Sequence, residues 1–310
     1  MSRVLQVGGL GMPFDAAAGD GVGLEGIDFA LDSGQVLGVV GESGSGKTTL
    51  ARALAGLRPI RSGSIQVMGE DLLPSGQVPG HLRHQVQMVF QNPVASLNPR
   101  MTILQSLEEP LKVHQSGMPG EQRQTRARQM LDLVGMPATA LSGYPHQFSG
   151  GQCQRIAIAR ALMVQPSLLI CDEVVSALDV SVQAQVLNLL MSLQRELGLA
   201  MVFISHDLAV VRHISDRIVV IYRGRLLEQG PAETLCGQPA HPYTRDLLAA
   251  VPGAGPARHH QAVVVAEALP GGCSYRHRCE LASPVCQEQA PVLADVAAEH
   301  QVACHHPLIN

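Results

Sequence analysis

Three short, unbroken apolar runs mark this chain, and each stops at a turn or a charge. Val36 to Val40 (VLGVV) leads into the glycine-rich GESGSGKTT and then into LARALAGL, where apolar residues recur at helical spacing. The pattern predicts a buried strand, a tight turn and a helix from about Lys47. Leu168 to Cys171 is a second predicted strand, and it ends at two adjacent carboxylates, Asp172 and Glu173. Ala200 to Ile204 is a third, followed almost at once by His206. Nowhere do roughly 18 apolar residues run without interruption, so the pattern predicts no membrane-spanning helix.

The turn after the first strand carries chemistry. Gly41 to Thr48 fits G-x-x-x-x-G-K-[ST] between a strand and a helix, the setting in which backbone N–H groups and the positive helix end converge on phosphates. Gly41, Ser43, Gly44, Ser45, Gly46, Lys47, Thr48 and Thr49 are the candidates to touch a nucleotide. Lys47 pairs with phosphate in this reading, and Thr48 with Mg²⁺. The acidic pair adds the second half: Asp172 is placed to hold Mg²⁺, and Glu173 to orient and deprotonate an attacking water. Taken alone, a strand-end acidic pair reads equally well as a solvated turn, and only beside the glycine loop does it signal nucleotide hydrolysis.

Composition narrows the class. The 310 residues are 46% hydrophobic, enough for a substantial core. Twenty-two Lys and Arg against 26 Asp and Glu leave a net charge of −4, and there is no Trp, so nucleic acid is not an expected partner. The opening MSRVLQVGGLGMPFD lacks the charge and apolar layout of a signal peptide. A soluble, cytosolic protein is expected, with any membrane role exerted through a partner.

FSGGQCQRIAIARAL resembles the signature motif of ABC-type ATPases, with Ser149, Gly150, Gly151 and Gln152 matching and Phe148 in place of the usual Leu. A Ser-Gly-Gly opening to a helix is a second anion site in its own right. The resemblance implies that each ATP is held between the glycine loop of one subunit and the signature of another. It also implies roles for Gln91 (Mg²⁺ or attacking water, and signalling to a transmembrane partner), Asp179 (subunit contact) and His206 (γ-phosphate). Phe14 stands at the distance expected of an aromatic stacked on adenine. Two positions depart from the family pattern: Val174 where Pro is usual, and Cys153 where Arg is usual. Neither removes a phosphate or metal ligand.

Which branch is meant depends on other features. About a hundred residues without heptads separate loop and signature, there is one such loop, and no membrane span is fused. SLNPRMT, DEVVSALDVSVQAQVLNLL, IYRGRLLEQG and HPYTRDLLAAVP resemble the ATPases of oligopeptide, dipeptide and nickel importers, especially the second subunit of their pairs. The implied function is an ATP-hydrolysing subunit powering di- or oligopeptide uptake. A nickel or other small-solute importer, or a non-transport ABC ATPase acting on nucleic acid or ribosomes, are the alternatives. The implied partners are a paralogous ATPase, two transmembrane permeases and, indirectly, an extracytoplasmic peptide-binding protein; the implied location is the cytoplasmic face of the inner membrane.

The tail raises a separate question, because Cys273, Cys279, Cys286 and Cys304 crowd into it at C-x5-C-x6-C-x17-C. That spacing is neither a short zinc knuckle nor a ferredoxin run. A loop-rich, Pro- and Gly-punctuated segment with four thiols suggests a piece tied by metal, with unremarkable buried thiols as the alternative. His277, His300, His305 and His306 lie near enough in sequence to substitute as ligands. The family resemblance favours a [4Fe–4S] cluster over zinc. The expected fold is α/β: a P-loop (ABC ATPase) core with an N-terminal antiparallel β layer, at 1–230. A helical subdomain is expected at about 92–163, and a small cysteine-rich extension at 231–310.

Overall fold

The computed structural model describes residues 2–13, 23–72, 78–250 and 271–309. Its centre is a parallel sheet in the order β6 (Val86–Val89), β7 (Leu168–Asp172), β8 (Ala200–Ser205), β3 (Val36–Val40), β9 (Arg217–Tyr222). All neighbours in this run are parallel, with Val36 opposite Met201 and Leu168 opposite Ala200. β3, β7 and β8 are buried at every position. That is why they read in sequence as continuous apolar runs and not as alternating ones.

The two faces of these strands feed different cores. Leu37, Val39, Leu168, Ile170, Val202 and Ile204 pack with helix α1 (Lys47–Leu54) and an N-terminal β layer. Their neighbours Val36, Val40, Leu169, Cys171, Met201 and Phe203 join the remaining helices. The two-residue period of a strand thus splits one apolar run between two cores. The β layer is antiparallel, with β1 (Arg3–Met12) between β2 (Leu24–Asp32) and β4 (Ser62–Val67), and β5 (Glu70–Asp71) at its edge. It meets the central sheet where β2 pairs with β10 (Arg225–Pro231), an Arg225–Glu25 ion pair of 2.7 Å lying beside the contact.

Residues 93–162 are largely helical: α2 (Pro93–Ser96), α3 (Ile103–His114), α4 (Gly120–Leu133) and α5 (Gly150–Leu162). α5 packs on the other three and on α6 (Val180–Leu197). α7 (Leu208–Ile214) then covers β3 and β8.

Beyond β10 the chain forms α8 (Ala232–Gly237), α9 (Pro242–Ala249), α10 (Pro284–Glu288), β11 (Ala294–Ala297) and β12 (His300–Val302). β12 returns to pair antiparallel with β10, so the tail extends the central sheet. Glu228 on β10, fully buried, fastens it: its carboxylate accepts from the backbone of Ala240 (2.7 Å) and His241 (2.9 Å), and His300 Nε2 lies 2.7 Å away. No helix among the described residues is long and apolar enough to cross a membrane.

Candidate nucleotide site

The glycine loop lies between β3 and α1, and two of its glycines are sterically required. A Cβ on Gly41 would stand 2.1 Å from the carbonyl oxygen of Ile221, so no side chain fits where the loop leaves the sheet. Gly46, which caps α1, has φ +107, a conformation that L side chains rarely adopt. Ser45 is buried, with its carbonyl accepting from Gly224 N–H (2.8 Å), while Ser43 and Gly44 form the exposed tip. Thr49, the third residue of α1, is buried behind them.

Lys47 is almost completely buried and donates to the carbonyls of Gly41 (2.9 Å) and Glu42 (3.0 Å). Burial lowers its pKa, while the charges of Glu173, Asp172 and Glu42 act the other way. Thr48 Oγ1 donates to Asp172 Oδ1 at 3.3 Å. Burial, with the neighbouring Glu173 charge adding to it, pushes Asp172 up to about 6, although Thr48, Arg52 and Lys47 pull it back. Two oxygens of this kind side by side are hard donors suited to Mg²⁺.

Glu173 lies just past the end of β7 with φ +48, an unusual backbone for a residue with a side chain. Its N–H donates to Ile204, which ties it to the neighbouring strand (3.0 Å). Three elements then converge on its carboxylate. Gln91 Nε2 donates to Oε2 at 2.9 Å, Lys47 Nζ is 3.9 Å from Oε1, and His206 Nδ1 is 3.7 Å from the same oxygen. Lys47, Thr48, Gln91, Asp172, Glu173 and His206, spread over 160 residues of sequence, therefore form one cluster.

Ser149, Gly150, Gly151 and Gln152 open α5 with a reciprocal capping box: Ser149 Oγ accepts from Gln152 N–H (3.3 Å), and Gln152 Oε1 accepts from Ser149 N–H (2.9 Å). Ser149, Gly150 and Gln152 are exposed. Asp179 caps α6 by position, without a side-chain bond, and the adjacent Val180 is 82% exposed. Leu178 and Val182 flank the start of α5, which places Asp179 beside the signature. Phe14 lies outside the described residues. The two departures from the family pattern are both interior: Val174 belongs to the apolar core, and Cys153 directs its sulfur at the carbonyl of Pro145 (3.4 Å).

Beside Gln91, β6 borders a groove of about 340 Å³ lined in part by Leu57, Phe90, Pro110, Val113 and Arg160. Leu57, Phe90 and Val113 are exposed, as is nearby Val94. Sequence reasoning did not find this groove, whose residues come from four separate stretches of chain and share no motif.

All seven cysteines are free thiols. In the tail, burial raises the pKa of Cys273 and Cys279 above the ordinary thiol value. Burial pushes Cys304 up to about 11, with Cys273, Cys279 and Cys286 adding to the rise. Backbone N–H groups point at their sulfurs: His306 at Cys304 (3.4 Å), Tyr275 and Arg276 at Cys273, and Leu281 at Cys279. Among the described residues, however, no group of three or more His, Cys, Asp or Glu is gathered to hold a metal ion. The expectation of a metal site is not met by a preformed cage, and His306 is engaged with Ser283 (2.7 Å) instead.

The fold and its phosphate-binding ends define a P-loop ATP-binding cassette. Residues 24–176 match the ABC transporter family, and residues 227–286 match the C-terminal region of oligopeptide/dipeptide transporters. The chain is 47% identical over 292 residues to the oligopeptide transport ATP-binding protein OppF of Escherichia coli, covering 91% of this chain and 86% of that one. To the di/tripeptide transport ATP-binding protein DppF of Pseudomonas aeruginosa it is 48% identical over 290 residues, covering 91% and 89%. Among solved structures, cbiO1 of Clostridium perfringens, part of the ABC transporter complex cbiONQ, superposes with a TM-score of 0.67 at 26% identity over 76% of this chain and 92% of that one. The ATP-binding cassette MJ0796, dimeric and bound to ADP and Pi, gives 0.64 at 26% identity over 74% and 98%. The chain belongs to the ABC transporter family, among its oligopeptide and dipeptide transport ATP-binding proteins.

Proposed function

We propose that this chain hydrolyses Mg²⁺–ATP to power import of di- and oligopeptides across the cytoplasmic membrane. The observation that carries the reading is the convergence of Lys47, Gln91 and His206 on the Glu173 carboxylate, one strand end from Asp172. In the substrate complex the loop from Gly41 to Thr49 and the α1 terminus hold the β and γ phosphates with Lys47. Thr48, Asp172 and Gln91 face the Mg²⁺ that ATP brings. Glu173 takes a proton from water as its oxygen attacks the γ-phosphorus in line; the β–γ anhydride bond breaks, and ADP and orthophosphate leave. His206 steadies the γ-phosphate oxygens.

A second subunit completes the site in this account. Ser149 to Gln152 and Asp179, exposed on one side together with Val180, face the nucleotide of a paralogous ATPase. The groove beside Gln91 receives a cytoplasmic segment of a permease, which places the chain peripherally on the inner face of the membrane. An extracytoplasmic binding protein delivers the solute. Peptide is favoured over nickel by the oligopeptide/dipeptide match at the C-terminal region. Residues 1–230 act as the ATPase and 231–310 as the extension.

Cys273, Cys279, Cys286 and Cys304 together offer a soft, all-thiol donor set with backbone N–H groups aimed at sulfur. That chemistry suits an iron–sulfur cluster or a structural zinc alike, and it is the resemblance to the peptide-importer ATPases that favours the cluster. When bound, such a cluster would supply structural cross-linking or redox sensitivity, with no part in phosphoryl transfer. Iron and sulfide assays with visible absorbance after anaerobic purification test it; a colourless, metal-free and fully active protein refutes it. The transport reading is tested by labelled peptide uptake into vesicles holding the complete assembly. Uptake that requires ATP supports it, and peptide-independent ATP turnover without uptake refutes it.

A further inference from the structure

The side chain of the second residue of the glycine loop, Glu42, has no role in the chemistry above, yet the C-terminal extension grips this residue twice. Its backbone N–H donates to the Tyr243 hydroxyl oxygen at 2.9 Å. Its carboxylate accepts from Arg278 Nη1 at both oxygens, 2.8 and 2.9 Å. These partners lie 201 and 236 residues further along the chain.

Neither partner is a loose surface contact. Tyr243, 1% exposed, sits in α9 with its ring 4.6 Å from Tyr222, the last residue of β9. Tyr275 stands 5.2 Å from Tyr243 and 5.3 Å from Tyr222, closing a three-ring cluster. Arg278 lies over Tyr275, 5.7 Å from the ring centre, and its own N–H donates to the Tyr275 carbonyl (3.0 Å). The Tyr275 hydroxyl in turn donates to Asp246 on α9. A rigid aromatic wedge therefore carries both the hydroxyl and the guanidinium up to the loop.

Glu42 is a negative charge on a loop that must receive a polyphosphate, and it is only part-shielded by solvent at 40% exposure. Left unpaired, it repels the ligand and competes with it for the Lys47 ammonium, which already donates to the Glu42 carbonyl. We infer that Arg278 and Tyr243 are positioning residues for the nucleotide: Arg278 neutralises Glu42, and Tyr243 fixes the first turn of the loop in a phosphate-ready shape. The inference rests on the reading that the Lys47 loop binds ATP. It gives the extension a task at the nucleotide site, and because Cys279 follows Arg278 directly, it gives the thiol segment a path to that site.

The test is equilibrium binding of a fluorescent ATP analogue with Mg²⁺ to the full chain. Wild type is compared with Arg278→Ala, Arg278→Lys, Tyr243→Phe and the double variant Glu42→Gln/Arg278→Ala, with thermal melts alongside. Arg278→Ala is expected to weaken binding about tenfold, Arg278→Lys less, and Tyr243→Phe about threefold. Removing the Glu42 charge in the double variant is expected to recover most of the loss from Arg278→Ala, a rescue that a purely structural role would not produce. Wild-type affinity in Arg278→Ala, or no recovery in the double variant, overturns the inference. Should Arg278→Ala fail to fold, wild-type affinity in both Arg278→Lys and Tyr243→Phe overturns it. Absence of binding by wild type itself removes the nucleotide reading, which the variants then cannot rescue.

Discussion

Glu173 is the residue on which most depends, and its backbone explains how it is aimed. The strand ends at Asp172, and a left-handed turn at the next residue swings the second carboxylate away from the first and towards Gln91 and His206. Replacing Glu173 with Gln keeps the shape and removes the base. Turnover is expected to fall at least about a hundredfold with ATP affinity kept within a few-fold, measured as phosphate release and nucleotide binding on the same preparation. Normal hydrolysis by that variant would move the base elsewhere. His241, which caps α9 by accepting from Tyr243 N–H (3.0 Å), offers a second residue-scale test. Burial lowers its pKa to about 4, against the pull of Glu228 and Asp246. An unfolded imidazole titrates near 6.5, so between those values the unfolded chain binds a proton that the folded chain refuses, and stability falls as the pH drops from about 6.5 to about 4. His241→Asn replaces the Nδ1 acceptor with a capping amide oxygen that does not titrate. Wild type is expected to lose about 2 kcal/mol more than the variant between pH 7 and pH 5 in urea unfolding. Parallel pH profiles would show that His241 does not carry the effect.

At the scale of elements, the strands that bear chemistry were the legible ones. β3, β7 and β8 are buried on both faces, so their apolar runs stand out, and each leads straight into a functional group. The tail was opaque for the opposite reason. β11 and β12 are four and three residues long and carry no apolar run, and their place is set by one buried carboxylate. Glu228 satisfies two backbone donors and one imidazole, so truncating it strands all three. Glu228→Ala is expected to cost about 3 kcal/mol and to free the extension first. Hydrogen exchange would reveal this as lost protection at residues 240–243 and 300–302 with the central strands unchanged, and uniform protection throughout would contradict it. Tyr243 and Arg278 escaped the sequence for a related reason: their partner, Glu42, occupies a position the loop motif leaves free.

Across the whole molecule, one chain carries two ends proposed to bind phosphate, a cluster around Lys47 and an exposed helix opening at Ser149. One is backed by the Asp172 and Glu173 carboxylates, and the other has a capping box and open surface, so the two suit opposite sides of a shared nucleotide. The cluster was legible residue by residue because each member follows a strand or opens a helix. The groove beside Gln91 was not, since its walls come from the segment after α1, from β6 and the residues after it, from α3 and from α5, and only folding brings them together. On the proposed reading, such a chain turns over slowly alone and faster when a second ATPase subunit closes on it.

The most direct test is therefore phosphate release from labelled ATP by this chain, assembled in lipid vesicles with the permeases and companion ATPase proposed for it. It should be run with wild type and with Glu173→Gln. The account predicts that wild type releases orthophosphate and that the variant retains ATP with release cut at least about a hundredfold. A wild-type assembly that neither retains ATP nor releases orthophosphate, or a variant that matches it in release, would contradict the account.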